Sequence, residues 1–119
     1  MWKFKHQVLL ATIALSISVT ATAREISREE AKELMVDCQE QREEKIAPLR
    51  EEAIEDCVTA RRGDREYCER YNATFGNAVA LPGGGAHPGL FWDLPDCVQA
   101  LEAEKYFKMN PGKNTYTLK

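Results

Sequence analysis

The sequence predicts an all-α fold: a small disulfide-stabilised helical hairpin or three-helix domain with a Gly/Pro-rich loop, placed after an N-terminal signal peptide. Three observations carry this. Apolar residues recur at three- and four-residue steps from Leu34 to Val58, the period of a helix with one buried stripe. Four cysteines follow the spacing Cys38-x18-Cys57-x10-Cys68-x28-Cys97, and an even count in a short exported chain favours a disulfide framework. Ahead of them stands an apolar run with a positively charged start.

That run comes first in the chain. Lys3 and Lys5 precede twelve apolar or small residues at 8–19, and Ala21-Thr22-Ala23 supplies a small-x-small cleavage pattern. The run is shorter than the ~20 residues of a membrane span. Residues 1–23 therefore read as a secretory signal, leaving no stable membrane span once it is removed. Of the 119 residues, 96 then remain, the size of one small domain. Losing Lys3 and Lys5 takes the formal charge from −3 to −5. An acidic chain lacks the basic stripe that nucleic-acid binding calls for.

The first helix begins at Ser27, whose hydroxyl can cap, with Glu30 completing a capping box. Its apolar stripe runs through Leu34, Met35, Cys38, Ile46, Leu49, Ala53, Ile54, Cys57 and Val58. Glu40, Arg42, Glu43, Glu44, Glu51 and Glu52 read as a solvated face with i,i+4 pairs. Gly63 suits the end of this segment and Asp64 can cap a second helix from Arg65 to about Thr74, with Gly76 ending it. Tyr67, Cys68, Tyr71 and Phe75 share a face there and read as core. Asn72-Ala73-Thr74 matches a glycosylation sequon.

Helix geometry bears on the disulfides. In one continuous helix Cys38 and Cys57 lie about 28 Å apart, far beyond the ~7 Å that a disulfide allows between Cα atoms. Cys57 and Cys68 flank the turn Arg61-Arg62-Gly63-Asp64 almost symmetrically. Nested pairing, Cys57–Cys68 inside Cys38–Cys97, is the favoured reading. Pro48 supplies the competing one: a reversal at Ala47–Pro48 would make Cys38–Cys57 and Cys68–Cys97 natural partners. No Gly, Asn or Asp stands beside Pro48 to help a reversal, so a kink is expected instead. The spacing fits neither zinc, which pairs ligands as C-x2-4-C or H-x3-5-H, nor a Cys-x-x-Cys redox motif.

Residues 77–92 break the helical pattern with turn formers, then Leu90, Phe91 and Trp92. No Gly-Lys-Ser/Thr follows the glycines and no strand precedes them, so neither a phosphate loop nor a dinucleotide fingerprint is present. Asp93 can cap a third helix with Pro95 in its first turn. There Cys97, Val98 and Leu101 face one way, and Ala100, Ala103, Tyr106 and Phe107 extend the apolar side. Asn110-Pro111-Gly112 stops the helix. The helical domain is thus expected over 24–108, with 109–119 as a basic tail and a weak strand at 115–118.

In outline, Cys38, Cys57, Cys68 and Cys97 resemble the cysteines of mitochondrial twin-CX9C proteins, helical hairpins with two nested disulfides. The arms here are x18 and x28, and the leader is secretory, so the resemblance is architectural.

Catalytic material is scarce. Once residues 1–23 are removed, His87 is the sole histidine and Ser27 the sole serine, already used as a cap. No Ser-His-Asp triad can be assembled, and paired cysteines leave no reactive thiolate. No cofactor or metal is expected. The functional expectation is an exported helical binding or interaction module whose candidate contacts with another exported protein are His87, Phe91 and Trp92. For Leu90, Phe91 and Trp92 the favoured reading is that they fold back and plug the hairpin core, with exposure as an aromatic anchor for a partner as the alternative. A bacterial periplasm is the expected compartment, with general secretion as the alternative. The competing reading is a small secreted enzyme inhibitor or hydrolase working through the 82–92 loop. A deep pocket gathering His87 with Asp93 or Glu66 would favour catalysis.

Overall fold

The structure, a computed structural model, describes residues 23–61 and 63–119. The signal segment lies outside these residues apart from Ala23. The elements run β1 (Glu25–Ser27), α1 (Arg28–Ala60), α2 (Arg65–Tyr71), β2 (Val79–Ala80), β3 (Ala86–His87), α3 (Pro95–Met109) and β4 (Thr115–Thr117). The chain is mostly helical, but it is not all-α. Two small antiparallel sheets are present, one pairing β1 with β4 and the other β2 with β3. β4 falls within the strand expected at 115–118, whereas the other two- and three-residue strands are too short to carry an alternating apolar pattern.

The long helix α1 is set at its start by the expected capping box: Ser27 Oγ accepts from Glu30 N–H, and Glu30 accepts from Ser27 N–H at 2.7 Å. It continues through Pro48 without reversal. Proline removes one intrahelical hydrogen bond there. Arg50 and Glu43 form a two-pronged ion pair across the gap, which also holds the Glu43 carboxyl below its ordinary range. Gly63, at φ +97°, donates to Val58 O and turns the chain into α2.

Two disulfides then fasten shorter helices along α1. Cys57–Cys68 joins it to α2 and Cys38–Cys97 joins it to α3, the second loop enclosing the first. Arg65 at the start of α2 reaches Glu51 and Glu55 on α1 and Glu69 on its own helix. These bonds, Glu55 first, hold its guanidinium above its ordinary value. Asp64 caps α2, but the helix ends at Tyr71, not near Thr74, and residues 72–76 are turns. Tyr71 is correspondingly 71% exposed instead of lying in a core.

Helix α3 runs antiparallel to α1, since Cys97 meets Cys38 while the Asn110 carbonyl accepts from Arg28. Its N-cap is Leu94 and not Asp93, because Pro95 already occupies the first helical position. Its buried face is Cys97, Ala100, Ala103 and Phe107, whereas Val98 and Leu101 are exposed. Alanines at the contact let the backbones approach to 4.7 Å between the Cys38 and Cys97 Cα atoms; larger side chains there would hold the helices apart.

The core has two joined parts. Ile26, Ala31, Ala103 and Phe107 form one and Cys38, Cys97 and Ala100 the other, with Leu34 packed against both. The stretch read as a basic tail closes the first part. In it Tyr116 pairs opposite Ile26 and rests against Tyr106 at 4.8 Å between ring centroids. Arg28 donates to the carbonyls of Asn110, Pro111 and Lys113, fastening the turn that leads to β4.

Candidate functional site

Residues 71–92 contain no Asp, Glu, Lys or Arg, the longest such run in a chain that is 29% charged. The centre of this run, 76–90, is a loop whose ends meet: Leu90 N–H donates to Gly76 O at 2.9 Å. Compact loops closed at the neck in this way are frequent carriers of function.

Arg42 holds the neck. Its Nε donates to Leu90 O at 2.7 Å and its Nη2 to Gly76 O at 3.1 Å, so one guanidinium grips both ends of the loop. Nη1 donates to Gln39 Oε1 at 2.7 Å, and the plane lies 3.9 Å from the centre of the Trp92 ring. The residue is only 3% exposed, and burial pushes its pKa down from the ordinary value. It makes no ion pair among the described residues. Backbone carbonyls, an amide oxygen and an aromatic face replace water instead. The expectation that Arg42 belongs to a solvated face is therefore corrected. Its position carried a signal, because Arg42 lies midway between Cys38 and Ile46 at four-residue steps, inside the apolar stripe.

Two glycines make so close a neck possible. Gly76 has φ +83° and Gly89 φ +85°. A Cβ on Gly89 would stand 2.6 Å from Gly76 O, with further backbone atoms of Asn77 and Ala78 at 3.0 and 3.1 Å. Backbone cannot yield as a side chain can. Gly89→Ala is expected to lower stability by about 2–3 kcal/mol. Gly84→Ala, with open space around it despite φ +104°, should lose only about 1 kcal/mol. Thermal unfolding of the two variants side by side checks this.

The structure separates the three residues singled out from the sequence. Trp92 is half-buried against Cys38, Cys97 and Ala100, and its indole N–H donates to Pro88 O at 2.5 Å. Phe91 is half-buried with Lys45 Nζ 5.9 Å from its ring centre, and its φ of +62° is the one positive value at a non-glycine among the described residues. A left-handed backbone at a bulky residue stores strain, here directly beside the Arg42 clamp. His87 is exposed on the hairpin, pairing with Val79, and its Nδ1 accepts from Gly89 N–H.

Beyond the neck, β2 and β3 form a hairpin whose turn is closed by Leu81 N–H donating to Gly85 O at 3.1 Å. Val79 and Leu81 are 45% and 48% exposed. At the base lies an open depression of about 380 Å³, lined by Tyr71, Phe75, Val79, His87 and Leu90 among others. Neither Glu66 nor Asp93 lines it, so the pairing with His87 that would favour catalysis is not made there. Asn72 is buried and donates its amide to Cys68 O, leaving the sequon nitrogen engaged inside the fold.

A second depression of about 610 Å³ lies between α1 and α3 over Ala31, Met35 and Phe107. Its cations are already engaged: Lys32 with Glu29, Lys108 with Glu104, and Arg28 with carbonyls. Among the described residues, no group of three or more His, Cys, Asp or Glu is placed to hold a metal ion, and no helix is long and apolar enough to cross a membrane. Two disulfides belong to an oxidising, exported environment. Comparison of the chain with protein-family models, curated proteins and solved structures finds no match.

Proposed function

We propose that this protein is an exported interaction module that presents the uncharged 76–90 loop as its docking surface, in a bacterial periplasm or another secretory space. The observation that supports this reading most is the Arg42 clamp. A buried guanidinium, two steric glycines and a strained Phe91 hold a loop whose outer half has no core to serve. Such a neck fixes the hairpin in one orientation before a partner arrives, which lowers the ordering cost of binding. Trp92 and Arg42 act as the mount. Val79, Leu81 and His87 form the presented face, with Phe91 at its edge.

A photo-crosslinking residue in place of Leu81 tests the reading in the native compartment. The expected result is a discrete adduct that is weakened when Gly89→Ala distorts the neck. Absence of any adduct at position 81, with the same residue placed at exposed Glu40 as control, would remove the loop from consideration.

A further inference from the structure

We propose that the groove between α1 and α3 binds a single-chain amphiphile with an anionic head, a fatty-acid-like carboxylate with its head at Arg28 and its tail at Met35. The groove shares no lining residue with the depression at the hairpin base, so this site stands apart from the docking loop.

Helical spacing makes the walls. Arg28, Ala31, Lys32 and Met35 follow three- and four-residue steps along one face of α1, and Glu104, Phe107 and Lys108 do the same on α3. The two faces border about 610 Å³, within the range of small-ligand sites. From Arg28 to Met35 the helix rises about 10 Å, enough to lay out a short alkyl chain. Ala31 and Phe107 belong to the core and give the groove its apolar floor, while Met35 packs toward Cys38 and Cys97 at the far end. The antiparallel course of α3 brings its last turn, with Lys108, to the Arg28 end. The groove is thus charged at one end and apolar at the other, the polarity of an amphiphile.

The sign of the head follows from Arg28. Its Nε and Nη2 donate to the carbonyls of Lys113, Asn110 and Pro111. Its Cζ stands 4.6 Å from the centre of the Phe107 ring on the groove floor. These contacts fix the guanidinium but supply no negative charge. Arg28 makes no ion pair among the described residues, and its Nη1 has no acceptor there, so the N–H groups of that nitrogen remain unused. Lys32 pairs with Glu29 and Lys108 with Glu104, in exposed pairs that hold little free energy. Arg28 is therefore the uncompensated charge of the lining, a positive one in a chain whose net charge is −3. A carboxylate at Nη1 would neutralise it through a charge-assisted hydrogen bond, while its tail covers Met35 and Phe107.

Three probes with one tail and different heads test this: octanoate, octanol and octylammonium, each titrated to about 3 mM into the exported protein at neutral pH. The Met35 methyl resonance reports on the tail end. Octanoate is expected to shift it with a dissociation constant of roughly 1 mM, the class of a small ligand in an open groove. Octanol and octylammonium should bind at least about tenfold more weakly, for want of the charged hydrogen bond. Added salt should weaken octanoate alone. Arg28→Met should weaken octanoate by about tenfold or more. Because Arg28 also fastens the turn before β4, Met35→Glu supplies a second variant that leaves those bonds in place and sets a like charge beside the tail; it should weaken octanoate to the same extent, followed at an α3 backbone amide with circular dichroism unchanged. No shift with octanoate, or equal binding of octanol or octylammonium, overturns the proposal. So does octanoate binding that survives Met35→Glu. Sedimentation with phosphatidylglycerol vesicles separates the sources of such a head: vesicle binding without octanoate binding would assign Arg28 to a membrane headgroup and overturn the groove as a site for a free acid.

Discussion

Replacing Cys38 and Cys97 together by alanine is expected to cost about 4 kcal/mol, from the chain entropy released in the unfolded state by opening a loop of that length. The sequence separation is 59 residues, against 11 for Cys57–Cys68, whose removal should cost about 3 kcal/mol. The difference in consequence is larger than the difference in entropy. Cys38 and Cys97 are both fully buried and form half of the core with Ala100, on which Trp92 and Leu94 rest. Loss of the outer bridge therefore loosens α3, the exit of the docking loop and the β1–β4 sheet together. Loss of the inner bridge frees α2, which Arg65 still ties to Glu51 and Glu55. Thermal unfolding should show a fall of about 15–30 °C for the outer pair with loss of near-ultraviolet tryptophan signal. Equal behaviour of the two double variants would show that the core does not depend on the outer bridge.

Arg42→Met should lower stability by about 3 kcal/mol or more. It removes hydrogen bonds from a charged donor to Leu90 O, Gly76 O and Gln39, each worth about 1.5–3 kcal/mol before the regained hydration of the lost charge is subtracted. It also removes the cation from the Trp92 face, worth about 0.5–2 kcal/mol. Gly76 O keeps its bond from Leu90 N–H, but the Leu90 carbonyl loses the arginine. Trp92→Ala should cost a comparable amount, about 3–5 kcal/mol, through the cavity left beside the disulfide. The double variant should fall short of the sum of the two singles, because the residues share one contact. Additive losses in a double-mutant cycle would show that Arg42 holds the loop without using the tryptophan. Hydrogen exchange at Leu90 and at the hairpin should speed up in either single variant, since both loosen the neck.

Much of the helical framework was legible residue by residue. Ser27 and Glu30 announce the start of α1, Asp64 the start of α2 and Pro95 the first turn of α3, because caps are local chemistry within four residues of chain. The choice of nested disulfides also followed from local geometry, once Pro48 was read as a kink and not a reversal. Of the strands only β4 was legible, inside the strand expected at 115–118. Its partner Glu25–Ser27 lies about ninety residues away, and neither it nor the two-residue strands of the hairpin carry enough pattern to declare a strand. The buried residues of α3, Cys97, Ala100, Ala103 and Phe107, all lie on the apolar side read from the sequence, whereas Val98 and Leu101 are exposed, because the close approach of the helices makes the small residues the buried ones.

The candidate site divides along the same line. Composition alone marks 71–92 as uncharged, glycine-rich and aromatic at its end, since these are properties of the residues themselves. It cannot say that Gly76 and Leu90 meet, because that contact depends on Arg42, more than thirty residues earlier on another element. Read singly, Arg42 is one more charge on an acidic helix. Only when the loop folds back does its guanidinium find two carbonyls, an amide and an indole ring in the place of water, and only that enclosure makes burial of the charge tolerable. Helix starts, the inner cysteine pair and the apolar side of α3 were thus decided by neighbours in the chain, whereas the partner of β4, the hairpin strands and the clamp were decided by groups that only the tertiary structure brings together.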